Sequence, residues 1–184
     1  MGEYLRQPDI VLKDLDLSRN HISDVGIKSL SLALKENKSI KILNLSSNKI
    51  KEDCMNELVD LLTSNTILEE LYLGSNIISN EGISKLSNFL NKNKKLKRLD
   101  ISKNSFNDNG FDVFAQAISS NRGITHLDIS KNTHISDNGS LVTLSQALTV
   151  NKTLKILDMS GNPIRKPFFQ IHFNGMLQKN ITLQ

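Results

Sequence analysis

The stretch Leu71-Tyr72-Leu73-Gly74-Ser75-Asn76-Ile77-Ile78 lies in the middle of a pattern that recurs through the whole chain. Written out, the pattern is L-x-x-L-x-L-x-x-N-x-I, with Leu, Ile, Met or Phe at its apolar positions. Its copies begin near residues 12, 40, 68, 96, 124 and 154, and the Asn of one copy lies 28, 28, 28, 28 and 30 residues before the next. A fixed period of this length predicts a protein built from stacked repeats.

The repeated pattern resembles that of leucine-rich repeat proteins, in particular the ribonuclease-inhibitor-like subtype, in which each repeat carries a full helix. The resemblance covers nearly the whole chain. It implies an α/β fold: a right-handed, curved solenoid, or horseshoe, with a parallel sheet on the concave face and helices on the convex face. We expect residues 1–184 to form a single domain of about six repeats, with partial repeats at both ends. Neither end carries a clear polar cap, which favours either a segment of a longer protein or atypical caps.

Two columns of asparagine follow from the period. The first turns the chain after each strand, where an amide can both donate to and accept from unpaired backbone groups, so we expect a continuous ladder. Its members are Asn20, Asn48, Asn76, Asn104, Asn132 and Asn162. The second column follows each helix, where Asn tolerates the left-handed conformation of a helix C-terminus. Its members are Asn37, Asn65, Asn93, Asn121, Asn151 and Asn180.

The composition narrows the cellular setting and the kinds of partner. The net charge of +4 is mild, and the single cysteine, Cys54, excludes an intramolecular disulfide. No apolar run approaches the ~18–20 residues of a membrane span, and residues 1–6 lack the apolar segment of a signal peptide. We therefore expect a protein of the cytoplasm, or of the nucleus, that does not enter a membrane. Nucleic acid is not a favoured partner.

Parallel stacking places equivalent residues of successive repeats in columns on the concave face. The column before the middle Leu of each strand is Asp14, Ile42, Glu70, Arg98, His126 and Ile156. The column after that Leu is Asp16, Asn44, Tyr72, Asp100, Asp128 and Asp158. A third column, three residues further on, is Arg19, Ser47, Ser75, Lys103, Lys131 and Gly161. We expect a partner to contact these columns, apart from the two serines and the glycine of the third.

Two features of these columns have alternative interpretations. Tyr72 and Ile42, beside Glu70, place aromatic and apolar surface on a polar face, where Tyr72 is either an interface anchor or a scattered exposed side chain. The row of Asp100, Asp128 and Asp158 either binds a basic partner or a cation, or is a solvated pattern neutralised by neighbouring cations.

Signs of catalysis are weak. The four histidines make no metal-binding spacing with Cys54 or with one another, and Cys54 stands where other repeats carry Gly. There is no Gly-rich phosphate loop and no nucleophile with a matching base. We therefore expect no catalytic residue, metal site or cofactor, and do not expect an enzyme. The basic run at residues 92–98 either contacts phosphates or acidic protein, or has only a local role at a helix end.

The predicted function is protein–protein recognition through the concave face and adjoining loops, as part of a larger scaffold or regulatory protein. Proteins with this repeat type include ribonuclease inhibitor, the sensor regions of NOD-like receptors, tropomodulin-type actin regulators and the Ran GTPase-activating protein. The last of these gives the alternative prediction, a regulator of a small GTPase. No residue set here matches its functional positions, and its usual acidic tail is missing. The sequence leaves the partner and the oligomeric state open.

Overall fold

The computed structural model describes residues 5, 11–136 and 139–179, with side chains through residue 174. Over these residues, one short strand and one helix alternate in each repeat. The strands are β1 (Asp14–Asp16), β2 (Ile42–Asn44), β3 (Glu70–Tyr72), β4 (Arg98–Asp100), β5 (His126–Asp128) and β6 (Ile156–Asp158). The helices are α1 (Asp24–Leu34), α2 (Met55–Ser64), α3 (Asn80–Leu90), α4 (Asp108–Ser120), α5 (Gly139–Val150) and α6 (Lys166–Lys179), with a 3-10 turn at Glu52–Cys54 before α2.

The six strands of the described chain form one open parallel sheet whose order follows the sequence. Each strand pairs with the next at a whole-repeat offset, so that Leu43 lies between Leu15 and Leu71. The middle residue of strands β1 to β5 is buried, because it points towards the helices, and its two neighbours point the other way. The predicted α/β leucine-rich-repeat solenoid is confirmed.

The core is a stack of aliphatic layers in which the fourth repeat is aromatic. Phe106 stands where other repeats have Ile, and its ring stacks on Phe111 with centroids 6.4 Å apart. Phe111 stacks in turn on Phe114 at 6.1 Å, and all three side chains are fully buried. Aromatic pairs at such distances add to the free energy gained from burial.

Asn76 shows how the first asparagine column joins neighbouring repeats. Its side-chain oxygen accepts from the backbone N–H groups of Asn48 and Ile50, both at 3.2 Å. Its amide nitrogen donates to the carbonyl of Leu45, in the preceding repeat, and to that of Leu73, in its own. One side chain thus satisfies four buried backbone groups. At the end of the column, Asn20 is exposed, and its amide donates only within its own repeat.

The second asparagine column has a different role from the predicted one. Asn65 and Asn121 have extended backbones, not left-handed ones, so that prediction was wrong. The Asn121 side chain instead accepts from the N–H groups of Gly123 and Ile124. Its amide donates to the carbonyls of Leu90 and Asn93 in the preceding repeat. The column is a second ladder, and its last predicted member, Asn180, lies outside the described residues.

The left-handed conformation occurs one residue before each Asn of the first ladder. The residues with positive φ are Arg19, Ser47, Ser75, Lys103, Lys131 and Gly161. Their φ angles lie between 50° and 70°, a region that costs about 1–2 kcal/mol for a residue with a Cβ. The strand-to-helix turn requires this conformation, and only the sixth repeat meets it with glycine.

Leu5 is the one residue before Val11 that the structure describes. Its side chain is buried, and its carbonyl accepts from the Asn37 amide at 2.9 Å. The carbonyl of Leu34 receives the equivalent bond from Asn65. Leu5 therefore occupies the place of a helix end in a preceding repeat. The other residues of the expected partial repeats, 1–4, 6–10 and 180–184, lie outside the described part of the chain.

Candidate functional site

The concave face consists of the two columns that flank the middle Leu of each strand. Strand register brings each column together: Glu70 pairs with Arg98, and Tyr72 pairs with Asp100. The columns are exposed at their ends and half-buried in the middle. The exposed members are Asp14, Asp16, Ile156 and Asp158. The half-buried members are Ile42, Asn44, Glu70, Tyr72, Arg98, Asp100, His126 and Asp128.

The third predicted column lies just beyond the strands. Arg19, Lys103 and Lys131 lie beyond the strands, in the turns with positive φ, and all three are exposed. Lys103 and Lys131 line a polar groove with Asn104. Contact of these residues with a partner stays a prediction.

Tyr72 is held in place by charged neighbours. Its hydroxyl donates to Oε2 of Glu70 at 2.6 Å, and the same oxygen lies 3.4 Å from Nε of Arg98. Burial, and then the hydrogen bond to Glu70, raise the pKa of Tyr72 to about 12. The ring is therefore neutral and fixed in orientation by a partner that is itself paired with Arg98. Such a pre-positioned aromatic ring loses little entropy when a ligand packs on it.

The carboxylates of the second column have a structural role that the sequence did not suggest. In Asp100, Oδ1 accepts from the backbone N–H of Ser102 at 2.8 Å, and Asp128 does the same for Ser130. Asn44 makes the equivalent bond to Ser46, which shows that the charge is not required. Each of these side chains closes the turn that follows its strand. The acidic row is thus partly explained by local structure.

The third repeat departs from this arrangement. Tyr72 replaces the acceptor, and Gly74 replaces the serine found at this point in the other five repeats. A Cβ on Gly74 would lie 2.7 Å from Oδ2 of Asp100 and 2.8 Å from Oγ of Ser102. The missing side chain leaves a notch, and the Asp100 carboxylate fills it.

Burial in this notch changes the titration of Asp100. Desolvation is the largest cause of its raised pKa, opposed by the bonds to Ser102 and supported by the charges of Asp128 and Asp158. At the exposed end of the row the direction reverses. The bonds from Ser160 hold the pKa of Asp158 below its ordinary value.

His126 completes the middle of the face. Burial and the nearby Arg98 lower its pKa, while Glu70 opposes them. Its Nδ1 lies 2.9 Å from Oγ1 of Thr125, whose hydroxyl donates to the carbonyl of Lys97. The hydroxyl oxygen therefore accepts, which favours the tautomer protonated on Nδ1 and leaves Nε2 as an acceptor. His126 is a neutral hydrogen-bonding group at neutral pH.

These side chains surround a shallow cavity of about 220 Å³ on the concave face. Tyr72 and Ile156 supply its aromatic and aliphatic walls, whereas three carboxylates supply the negative charge. The complete lining is Tyr72, Arg98, Leu99, Asp100, His126, Leu127, Asp128, Ile156 and Asp158. A cavity of this size has room for one long side chain. Ile42 and Asn44 lie outside it.

The described residues offer little support for a metal site, a membrane-spanning helix or a reactive thiol. Among them, no group of three or more His, Cys, Asp or Glu side chains could hold a metal ion. Nor does any helix in this part of the chain have the length and apolar character needed to cross a bilayer. Cys54 is buried, and burial raises the pKa of its thiol, which disfavours the nucleophilic thiolate.

The comparisons with known proteins agree with this architecture. The family model described as "Leucine Rich repeat" matches six consecutive segments: residues 10–31, 36–53, 64–87, 92–115, 120–139 and 150–166. Each segment contains the strand of its repeat and the turn that follows it, and the segments of the first, third and fourth repeats extend well into the helix. A search of curated proteins finds no significant match.

Solved structures with the same fold include two chains that the protein covers almost completely. One is described as "Leiomodin-1 Actin-Binding Site 2 (ABS2)", with a TM-score of 0.59 and 16% identity over 98% of this chain and 87% of that chain. The other is the tropomodulin C-terminal domain of Caenorhabditis elegans, with a TM-score of 0.67 and 20% identity over 82% of this chain and 90% of that chain. At such identities the likeness concerns the fold alone.

Proposed function

The chain belongs to the leucine-rich repeat family, and from that premise we propose that it is a protein-binding module whose partner docks on the concave face. The observation that carries the proposal is the cavity between Tyr72 and Ile156. It combines an oriented aromatic ring, an exposed aliphatic side chain and hydrogen-bonding groups. Aromatic anchors in such settings contribute much of the binding energy of protein interfaces.

The charges of the cavity favour a basic residue of the partner. Asp100 and Asp128 place carboxylates beside the Tyr72 ring, and Arg98 is already paired with Glu70. A Lys or Arg side chain of the partner fits this combination, because its charge meets the carboxylates while its aliphatic stem packs on Tyr72 and Ile156. We expect apolar residues on either side of it in the partner.

A two-site variant tests the location of the site. Tyr72→Ala with Ile156→Ser removes both walls of the cavity while leaving the buried middle Leu residues in place. The matched control is Val25→Ser with Leu32→Ser, which removes two exposed apolar side chains from α1. Partners captured by the wild-type protein and identified by mass spectrometry should be lost with the cavity variant and kept with the control. Circular dichroism must show all three chains equally folded.

Full retention by the cavity variant would move the binding site away from the concave face. Two candidate partners are worth direct assay. The leiomodin-1 chain is described as an actin-binding site, so co-sedimentation with filamentous actin tests that partner for this protein. A GTP hydrolysis assay with small GTPases tests the alternative function, a GTPase activator similar to the Ran GTPase-activating protein. If the protein accelerates GTP hydrolysis, the GTPase-activator function is favoured over the proposed one.

A further inference from the structure

Three consecutive loops stack on the edge of the solenoid where helices end and strands begin: residues 91–97, 121–125 and 151–155. The Asn121 amide donates to the carbonyl of Asn93 at 3.0 Å, and the Asn151 amide donates to that of Asn121 at 3.1 Å. The backbone N–H of Thr125 donates to the carbonyl of Lys97, and that of Lys155 to Thr125, both at 2.8 Å. Bonds from the second asparagine ladder and between backbone groups therefore hold the loops together as one surface.

This surface carries seven exposed cations and no carboxylate. One of them, Lys152, donates to the carbonyl of Thr149. The other six, hereafter the basic edge, are Lys92, Lys94, Lys95, Lys97, Arg122 and Lys155. The three loops contain no Asp or Glu. Subtracting these six charges from the formal net charge of +4 leaves −2 for the rest of the chain. The positive charge of the protein is concentrated here.

Internal contacts position these charges without neutralising them. Lys97 donates to the carbonyls of Lys94 and Gly123, and Arg122 donates to those of Ser119 and Asn121. Carbonyls are neutral acceptors, so each cation keeps its full charge. Within the described chain, none of the six forms an ion pair.

The preceding loops are different in this respect. There, Lys41 is paired with Glu69 at 2.6 Å, which offsets the charge of the loop that precedes β2. The loops that precede β2 and β3 each contain a carboxylate, Glu36 and Glu69, whereas the three loops of the basic edge contain none.

The residue types of the basic edge indicate which class of polyanion it can bind. Its apolar residues Leu96, Ile124 and Leu154 are at most 1% exposed, so these loops offer nothing to insert into a bilayer. The three loops contain no aromatic residue on which nucleic-acid bases could stack. Five of the six cations are lysines, which act as mobile point charges and lack the forked geometry of arginine. Carboxylates of variable spacing suit such a surface.

We propose that the basic edge is a second binding surface, separate from the concave cavity, for a protein segment rich in Asp and Glu. The edge adjoins the concave face where Thr125 contacts His126. The two surfaces have opposite chemistry: carboxylates surround the cavity, and cations cover the edge. A single partner could engage both only with a basic segment in the cavity and an acidic one on the edge.

Fluorescence anisotropy with the full chain tests this proposal. The probe is a labelled peptide of alternating Asp and Glu, with a Ser-Gly peptide of equal length as the neutral control. Lys94→Glu with Lys95→Glu should weaken binding of the acidic peptide at least about tenfold, since four units of charge are lost from the edge. The matched control, Lys28→Glu with Lys49→Glu, makes the same change in net charge elsewhere and should alter binding less than about twofold.

Further measurements distinguish an acidic protein segment from DNA and from anionic membranes as the ligand of the basic edge. A DNA duplex, or vesicles containing phosphatidylserine, bound more tightly than the acidic peptide at about 0.15 M salt would overturn the proposal. So would an equal loss of binding in the edge and control variants. If the edge variant fails to fold, amide shifts of the wild-type protein on adding the peptide decide: they must cluster in the three loops. Tyr72→Ala with Ile156→Ser should leave peptide binding unchanged, which distinguishes this surface from the proposed cavity.

Discussion

The carboxylate of Asp100 occupies the space in which a side chain on Gly74 would begin, at 2.7 Å from the position of its Cβ. The two residues belong to neighbouring repeats, and their relationship interrupts the periodicity of the concave face. Five repeats have Ser where the third has Gly74. The glycine removes a hydroxymethyl group and the next repeat supplies a charged group in its place.

Restoring the serine should therefore destabilise the protein. In Gly74→Ser, the new side chain displaces Asp100 and breaks its bond to the Ser102 N–H, at a cost of about 1–3 kcal/mol. Gly139→Ala is the control, because a Cβ there meets nothing within 4 Å. Urea unfolding measures both. A Gly74→Ser protein as stable as the wild type would mean that the carboxylate can leave the notch without cost.

Two carboxylates of the same row should respond to amide replacement with opposite signs. The raised pKa of Asp100 means that ionisation above the ordinary value of 3.8 favours the unfolded chain. An Asn there retains the oxygen that accepts from Ser102, as Asn44 does in its own repeat. Asp100→Asn should thus be neutral or stabilising at pH 7, with the gain fading as the pH falls through the raised pKa.

For Asp158 the pKa is lowered, so its ionised form favours the folded state above the ordinary value of 3.8. Asp158→Asn should reduce stability at pH 7, and the difference from the wild type should vanish as the pH falls through the depressed pKa. Thermal unfolding across the acid range tests the pair together. Effects of the same sign at neutral pH would contradict the assignment of burial to one carboxylate and turn closure to the other.

The asparagine ladder should be more costly to interrupt in the middle than at its end. Asn76→Ala leaves the buried N–H groups of Asn48 and Ile50 without their acceptor, at about 1–3 kcal/mol for each one that water cannot reach. The carbonyls of Leu45 and Leu73 keep a second bond, from the amides of Asn48 and Asn104. Asn20→Ala removes bonds at an exposed position, where water substitutes. Denaturant unfolding should show the larger loss for Asn76. Equal losses would argue against a buried, continuous ladder.

Tyr72 should make the protein sensitive to alkali. Its folded-state pKa of about 12 exceeds the ordinary value of 10.0, so the stability associated with the neutral phenol is present below pH 10 and lost as the pH rises towards 12. Tyr72→Phe keeps the ring and should flatten this alkaline decline. Glu70→Gln removes the charged acceptor and should lower the pKa of Tyr72, measured by ultraviolet difference titration. An unchanged pKa would leave burial as its sole cause.

The period of the pattern was sufficient to predict the repeats, the strand register and the two columns of the concave face. It could not predict the notch, because the contact between Gly74 and Asp100 depends on how two neighbouring repeats approach each other. The left-handed turn was also missed. It falls on Arg19, Lys103 and Lys131, residue types that carry no signal for that conformation, and only Gly161 does. The second ladder was missed because an Asn that follows a helix, such as Asn121, is equally compatible with a left-handed backbone and with side-chain bonds to the preceding repeat.

The two ladders also fix the step by which this chain can change its length. The fifth repeat has 30 residues instead of 28, yet the backbone N–H of Asn132 still donates to Oδ1 of Asn162 at 2.7 Å. The bond is kept because the two extra residues lie outside both ladder positions. Removing residues 68–95 as a block would bring Asn104 into the place of Asn76, with every bond of both ladders available again. Removing a few residues from a strand or its turn would break both. We therefore expect this protein to tolerate the gain or loss of whole repeats, and smaller insertions or deletions only in the loops.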